Sequence, residues 1–93
     1  MSLQKQFGQA LQRARKSRKL SQEDFSIVSS RTYLSSLERG LKSPTIEKIE
    51  QLASVLEMHP LSLLALAYLP TKSHDLTTLF AQISADIQSL NDD

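Results

Sequence analysis

The stretch from Leu20 to Gly40, LSQEDFSIVSSRTYLSSLERG, constrains the fold of this chain more than any other. Ser21 precedes a run that begins with acids, and Ser30 precedes a second short run, so each serine fits a helix N-cap. Gly40 follows the second run, where a left-handed glycine often ends a helix. The stretch therefore predicts two short helices, at about 22–28 and 31–39, joined by a tight polar turn.

The second of these helices combines an apolar anchor with a polar face. Leu34 and Leu37 have the spacing of buried residues, which leaves five polar residues facing outward: Arg31, Thr32, Ser35, Ser36 and Arg39. Short side chains let a helix approach the floor of a major groove, and an arginine can donate two hydrogen bonds to guanine. The pattern predicts sequence-specific binding to double-stranded DNA, with Arg31 as the main candidate for base contact.

Helical periodicity predicts four further helices. The first runs from after Ser2 to about Lys19 and is expected to bury Phe7, Ala10, Leu11 and Ala14. Ser43 or Thr45 caps the fourth, whose apolar stripe is Ile46, Ile49, Leu52, Ala53 and Leu56. The fifth, PLSLLALAYL, starts at Pro60, is apolar enough to be buried and is expected to end at Pro70.

A sixth helix, at about 75–90, follows a short polar linker at 71–73 and carries a wide apolar stripe. The stripe consists of Leu76, Leu79, Phe80, Ile83, Ile87 and Leu90. The five preceding helices are expected to form a complete core. This stripe is therefore expected to cover a partner subunit, with folding back onto its own chain as the alternative. Its two heptads are too short for a stable isolated coiled coil.

Charge is distributed unevenly along the 93 residues, although the net charge is only +1. Residues 1–42 hold nine Lys and Arg against three acids, a net +6, whereas residues 43–93 hold two Lys against seven acids, a net −5. The basic half is expected to face a polyanion. Its candidates for phosphate contact are Arg18, Lys19 and Lys42.

Several function classes are disfavoured by composition. The chain has no cysteine, no apolar run of membrane-spanning length and no signal-peptide core near its start, so a cytoplasmic protein is expected. His59 and His74 lack companions at metal-ligand spacing, and capping or surface positions are expected for them. No phosphate loop or nucleophile–base pair is visible, so we expect no enzyme activity, metal, cofactor, small-molecule ligand or membrane association.

Three linked motifs resemble the XRE family, the lambda-repressor and Cro-like helix-turn-helix regulators of bacteria and phages. They are LSQEDF, SRTYLSSLERG and PTIEKIEQLASVL, in that order, within roughly residues 5–68. The segment from Phe25 to Arg31 is about two residues shorter than is usual in the family, with Ser29 and Ser30 in place of a glycine turn.

The resemblance implies roles for individual residues. Matched positions assign base contacts to Arg31, Thr32 and Ser36, with Ser30, Tyr33 and Ser35 at the margin of the contact. Gln22 and Arg39 match residues that hold phosphates, and Arg15 matches an arginine that pairs with Glu38. For Tyr33, a hydrogen bond to phosphate and a half-buried packing role remain equal alternatives, and Ser35 is equally consistent with a simple surface position.

Taken together, the sequence predicts an all-α protein. A five-helix lambda-repressor-like DNA-binding domain is expected at 1–69, and a linker with a C-terminal amphipathic dimerisation helix at 70–93. The expected function is a homodimeric transcriptional regulator, most simply a repressor, that reads an inverted repeat with half-sites about 34 Å apart. The alternatives are an antitoxin, a restriction-modification controller, or a module on the same scaffold that binds protein only.

Overall fold

A computed structural model of the chain describes residues 2–72 and 75–91, which form five α-helices, one short 3₁₀ helix and no strand. The predicted all-α class is confirmed. Ser73, expected in the linker, and His74, expected at a capping or surface position, lie outside the described residues. The elements are α1 (Leu3–Ser17), the 3₁₀ helix (Gln22–Phe25), α2 (Arg31–Glu38), α3 (Ile46–Leu56), α4 (Pro60–Lys72) and α5 (Leu76–Asn91).

Side chains cap the starts of four of these helices. The hydroxyl oxygens of Ser2, Ser30 and Thr45 each accept the backbone N–H three residues later, at 3.2, 3.1 and 3.0 Å. Ser43 and Thr45 are both candidates for the N-cap of α3, and the structure uses Thr45. His59 Nδ1 accepts the N–H of Leu61 at 3.0 Å, so the expected capping role of this histidine is confirmed. Each cap satisfies a donor that the helix itself leaves without a partner.

The core lies between α1, α2, α3 and α4. Its largest fully buried side chains are Phe25, Leu11, Leu34, Leu37, Leu52, Leu56 and Leu63. The most extensive packing between two helices is that of α1 against α4. There the buried Gln6 donates from Nε2 to the Ala67 carbonyl at 2.9 Å. This core fixes α2 against α1 and leaves the opposite face of α2 toward solvent.

The second predicted helix is wrong in type and length. The sequence predicts a helix from about Gln22 to Val28, but only a four-residue 3₁₀ helix, Gln22–Phe25, forms. Asp24 Oδ2 accepts the N–H of Ser21 at 2.7 Å, and the N–H groups of Val28 and Ser29 both reach the Phe25 carbonyl. The helix ends at this hydrogen-bonded turn. The serines and β-branched residues on either side of the turn have low helix propensity, so they do not extend the helix.

Three further expectations, about the end of α4 and about the burial of two apolar residues, are wrong. α4 does not end at Pro70 but continues to Lys72, so this proline lies in the last turn of the helix. The stripe of α3 does not include Ile46, which is 82% exposed, and Leu61 of α4 is 64% exposed. Both residues occupy the first turn of their helix, where the chain has just entered from a loop and has not yet reached the core.

α5 extends away from the rest of the fold. None of its residues is buried, and Leu79 alone of the predicted stripe is half-buried. The chain measures 45 × 25 × 23 Å with a radius of gyration of 14.3 Å, whereas a compact domain of this length has a radius of about 12 Å. The apolar stripe of α5 is therefore left largely uncovered in the single chain.

The helices of residues 2–72 and 75–91 are short or carry charges. No single helix there combines the length and the apolar character needed to cross a bilayer. The segments Ile46–Leu56 and Pro60–Leu69 reach such a length and apolar composition only when they are taken together, and they are bent by 101° where they join.

Gly8 allows α1 and α2 to approach at backbone distance. A Cβ atom at this position would lie 2.4 Å from the Leu37 carbonyl oxygen and 2.6 Å from that of Glu38. Both atoms belong to the last turn of α2, so neither can move without moving that helix. Glycine is required here by packing and not by an unusual backbone angle.

Replacement of Gly8 by alanine is expected to destabilise the fold. Overpacking of this kind costs about 1–3 kcal/mol and outweighs the gain of up to about 1 kcal/mol in helix propensity. Urea unfolding followed by circular dichroism measures the difference. The control is Gln9→Ala at the exposed neighbouring position, which should stay within about 0.5 kcal/mol of the parent chain. A Gly8→Ala variant more stable than the parent would contradict the close approach.

Candidate nucleic-acid interface

One shallow groove on the protein surface brings together five residues singled out in the sequence. It is lined by Gln22, Arg31, Thr32, Ser35 and Arg39, and we call it the α2 groove. Arg31, Thr32 and Arg39 are exposed, whereas Gln22 and Ser35 are half-buried. The lining contains two guanidinium groups and no acid, so the groove is suited to an anionic, hydrogen-bonding partner.

α2 is held in place at both ends and along its inner face. Ser30 caps the start, and Leu34 and Leu37 are fully buried beneath it. At the far end Gly40 adopts φ +73°, its N–H reaches the Leu37 carbonyl, and the N–H of Leu41 reaches the Ser36 carbonyl at 2.9 Å. This pair of bonds is a Schellman C-cap. The eight-residue helix therefore presents its outer face in a defined orientation.

A buried ion pair joins α2 to α1. Arg15 donates from Nε and Nη2 to the two carboxylate oxygens of Glu38, at 2.7 and 3.1 Å. A third donor of Arg15, Nη1, reaches the Leu20 carbonyl at 2.9 Å. The side chain of Glu38 is 2% exposed and that of Arg15 is 11% exposed. The pair that the family resemblance implied is present in the structure.

The same carboxylate also holds Gln22. Nε2 of Gln22 donates to Glu38 Oε1 at 3.2 Å, so one oxygen accepts from two segments of the chain. A carboxylate in the last turn of a helix is opposed by the helix dipole, and the guanidinium of Arg15 offsets this. Hydrogen bonding to Glu38 raises the pKa of Arg15 above its ordinary value, which keeps the guanidinium charged. Gln22 is thereby fixed beside Arg31 and Arg39 in the α2 groove.

Ser36 requires a correction. The family resemblance implies that it contacts bases, but Ser36 is only 8% exposed. It lies one turn after Tyr33, whose half-buried ring packs on the core, so it occupies the inward side of α2. The leucine spacing alone did not reveal this, because α2 is buried over more than a narrow stripe.

A cluster of two lysines and a tyrosine lies at the edge of this surface. Lys42 Nζ and Lys48 Nζ are 5.7 and 5.8 Å from the centroid of the Tyr33 ring. Lys48 Nζ also donates to the Val28 carbonyl. Sequence reasoning missed Lys48. Its signal was available, since it follows Lys42 closely and is one of only two lysines in the acidic half of the chain.

Three other predicted residues lie in different surroundings. Ser30 is exposed, and its hydroxyl is used as the α2 cap. Arg18 donates from Nε to the Leu56 carbonyl at 3.0 Å and lies beside the end of α3, not in the α2 groove. Lys19 is exposed with φ +59°, at the turn that leads from α1 to the 3₁₀ helix. The bond to Leu56 uses only Nε of Arg18, so its Nη groups can still donate to a phosphate beside the end of α3.

The chemistry available at this surface is that of binding. Within residues 2–72 and 75–91, no group of three His, Asp or Glu side chains is arranged to hold a metal ion. The α2 groove offers guanidinium, amide and hydroxyl groups, which donate hydrogen bonds to phosphates and to base edges.

Loss of the buried carboxylate is expected to destabilise the protein. Glu38→Ala leaves Arg15 without its counter-charge, and removal of one partner from a buried pair costs about 3–5 kcal/mol. Urea unfolding of Glu38→Ala, Arg15→Ala and the double variant measures their coupling. The sum of the single losses should exceed the double loss by more than about 0.5 kcal/mol. The control, Glu50→Ala, removes an exposed carboxylate from α3. Additive losses would show that the pair contributes no coupling.

The helix-turn-helix region of this chain matches a known protein family. A family model described as helix-turn-helix matches residues 11–63, more than half of the sequence, and this range includes both segments that line the α2 groove. Comparisons with curated proteins and with solved structures give no match. The chain belongs to the XRE-like, lambda-repressor-like helix-turn-helix family of DNA-binding regulators.

Proposed function

We propose that the protein is a homodimeric transcriptional repressor that inserts α2 into the major groove and reads an inverted repeat. The observation that supports this most directly is the α2 groove, where two exposed arginines and a threonine stand on a firmly capped helix. Two such helices would enter successive major grooves about 34 Å apart. A dimer bound across an operator blocks access by occupancy, so repression needs no additional domain.

Arg31 and Thr32 carry base recognition in this proposal. Both are exposed in the first turn of α2, the part of a recognition helix that reaches base edges first. Arg31 would donate to O6 and N7 of a guanine, and the Thr32 methyl would contact a thymine methyl. Ser35 lies one turn further along and is half-buried, so it contributes at the margin.

Phosphate contacts supply affinity and position. Gln22 and Arg39 flank the outer face of α2, while Lys42 lies at the edge beside Tyr33 and Lys19 lies in the turn after α1. Contacts of this type fix the register of a protein on the duplex without reading sequence. The two guanidinium groups of the α2 groove, with no acid in its lining, favour this face as the one that meets DNA.

α5 is proposed as the dimerisation element. Its exposed large apolar residues are Leu76, Phe80, Ile83, Ile87 and Leu90, with exposures between 41% and 72%. A contiguous apolar stripe of this kind on a surface helix marks a contact with another protein. An inverted repeat is matched by a two-fold dimer, which makes a second copy of the chain the fitting partner.

The test of base reading is a selection from random duplexes with the parent chain and Arg31→Ala. The parent should enrich an inverted repeat, and the variant should lose preference at one position in each half-site. The expected loss is about 1–3 kcal/mol against the wrong base. Arg13→Ala is the matched control, because it removes the same charge from an exposed position of α1 outside the α2 groove. Equal preferences in the parent and Arg31→Ala would remove Arg31 from base recognition.

Affinity for DNA is expected to fall steeply as salt rises. Each phosphate contact contributes about 0.9 to the slope of log K against log salt. Arg39→Ala should therefore reduce the slope by about 1 while leaving the selected sequence unchanged, and fluorescence anisotropy over a salt series measures both. Arg13→Ala should keep the parent slope. A slope near zero for the parent would favour the alternative module that binds only protein.

Ile83→Asp is expected to weaken the dimer, because it places a charge at the centre of the apolar stripe. Sedimentation equilibrium over a concentration series should show a shift toward the monomer mass. Gln88→Asp introduces the same charge on the polar side of α5 and should leave the association unchanged. An unaltered mass for Ile83→Asp would remove α5 from the dimer contact.

A further inference from the structure

A second apolar feature lies next to the exposed stripe of α5. Met58, Leu66 and Leu69 together with Leu76 and Phe80 line an apolar groove between the two last helices, which we call the α4–α5 groove. The first half of α5 forms one wall of this groove. The second half of α5 extends beyond it and carries Ile83, Ile87 and Leu90 with no buried residue.

We propose that the two copies join through antiparallel α5 helices, with the second half of each α5 lying in the α4–α5 groove of its partner. This inference rests on the dimer of the proposed function and specifies how the two chains meet. The product is a four-helix arrangement, with α4 and α5 from each copy around one apolar centre.

The spacing of the stripe suits this arrangement. Its exposed residues follow one another at intervals of four, three, four and three, centred on Ile83. When two such helices cross antiparallel at Ile83, Leu90 lies over the partner's Leu76 and Ile87 lies beside the partner's Phe80. Each apolar residue thus meets an apolar residue, and the interface is self-complementary, as a two-fold dimer requires.

A parallel pairing would use the same stripe less completely. It would leave the α4–α5 groove empty. The second half of each α5 would then contact only the second half of the partner's α5, over a length too short for a stable coiled coil. Parallel coiled coils also set their register with charges that flank the seam. In α5 the single charged residue is Asp86, which already accepts a hydrogen bond from Gln82 Nε2 at 2.9 Å.

Disulfide trapping tests the arrangement in the full chain without DNA, since the native sequence has no cysteine. The variants are Leu76→Cys, Ile83→Cys and Leu90→Cys, with Ser54→Cys on the exposed side of α3 as the control. Mild oxidation should link Ile83→Cys to itself. Leu76→Cys should link to Leu90→Cys in a mixed sample, with one chain tagged so that the product is identified by mass. Leu76→Cys alone and Leu90→Cys alone should stay unlinked, because their Cα atoms would be far beyond disulfide range.

Two outcomes would overturn the proposal. Efficient self-linking of Leu76→Cys and of Leu90→Cys would indicate parallel helices. No linking of Ile83→Cys above the level of the control, with circular dichroism showing intact helices, would place Ile83 away from the two-fold axis.

A second measurement does not depend on oxidation. Phe80 and Ile87 are two turns apart within one α5, but the proposal brings each against the other across the dimer. The dimer Kd of Phe80→Ala, Ile87→Ala and the double variant should therefore show a coupling of at least fivefold. If the two substitutions change the dimer Kd independently of each other, that result would contradict the antiparallel contact. Failure to select any duplex, in a protein that passes both tests, would reject the proposed function and leave this inference intact.

Discussion

The carboxylate of Glu38 lies where three segments of the chain meet, and the orientation of α2 depends on it. Arg15 binds it from α1 with two nitrogens, and Gln22 binds it from the 3₁₀ helix. A buried pair of this type is weak evidence for stability, but its fixed geometry is well suited to define how segments are oriented. The two segments that line the α2 groove are linked through one side chain, so the groove is formed before any partner arrives.

The backbone contact at Gly8 acts together with this ion pair. Gly8 brings α1 directly against the last turn of α2, which is the turn that carries Glu38. The short distance places Arg15, two turns further along α1, within reach of the carboxylate. In a chain without cysteine, this glycine and this ion pair add to the caps and the buried leucines that hold α2 in place.

Much of this architecture could be predicted from the sequence, because local signals and packing agree over most of the chain. Ser2, Ser30, Thr45 and Gly40 mark helix ends in the way that isolated helices would use them. The predictions failed where a tertiary contact decided the outcome. The burial of Ser36 depends on how α2 rotates against α1, and the position of Lys48 beside Tyr33 depends on the loop between α2 and α3. Neither is encoded in a short window of residues.

The 3₁₀ helix has a consequence for how the protein moves. Phe25 is the one buried residue between Ser21 and Ser30, and Glu23, Asp24, Ser26 and Ile27 around it are exposed. Besides Phe25, the segment is held by the bond from Gln22 to Glu38, by the bond from Lys48 to the Val28 carbonyl and by the half-buried Val28. It opens with a smaller free energy than the core helices, because fewer buried contacts must break. Its amide protons will exchange with solvent while those of α1 stay protected. Gln22 belongs to this segment, so each opening event releases one edge of the α2 groove while α2 itself stays folded.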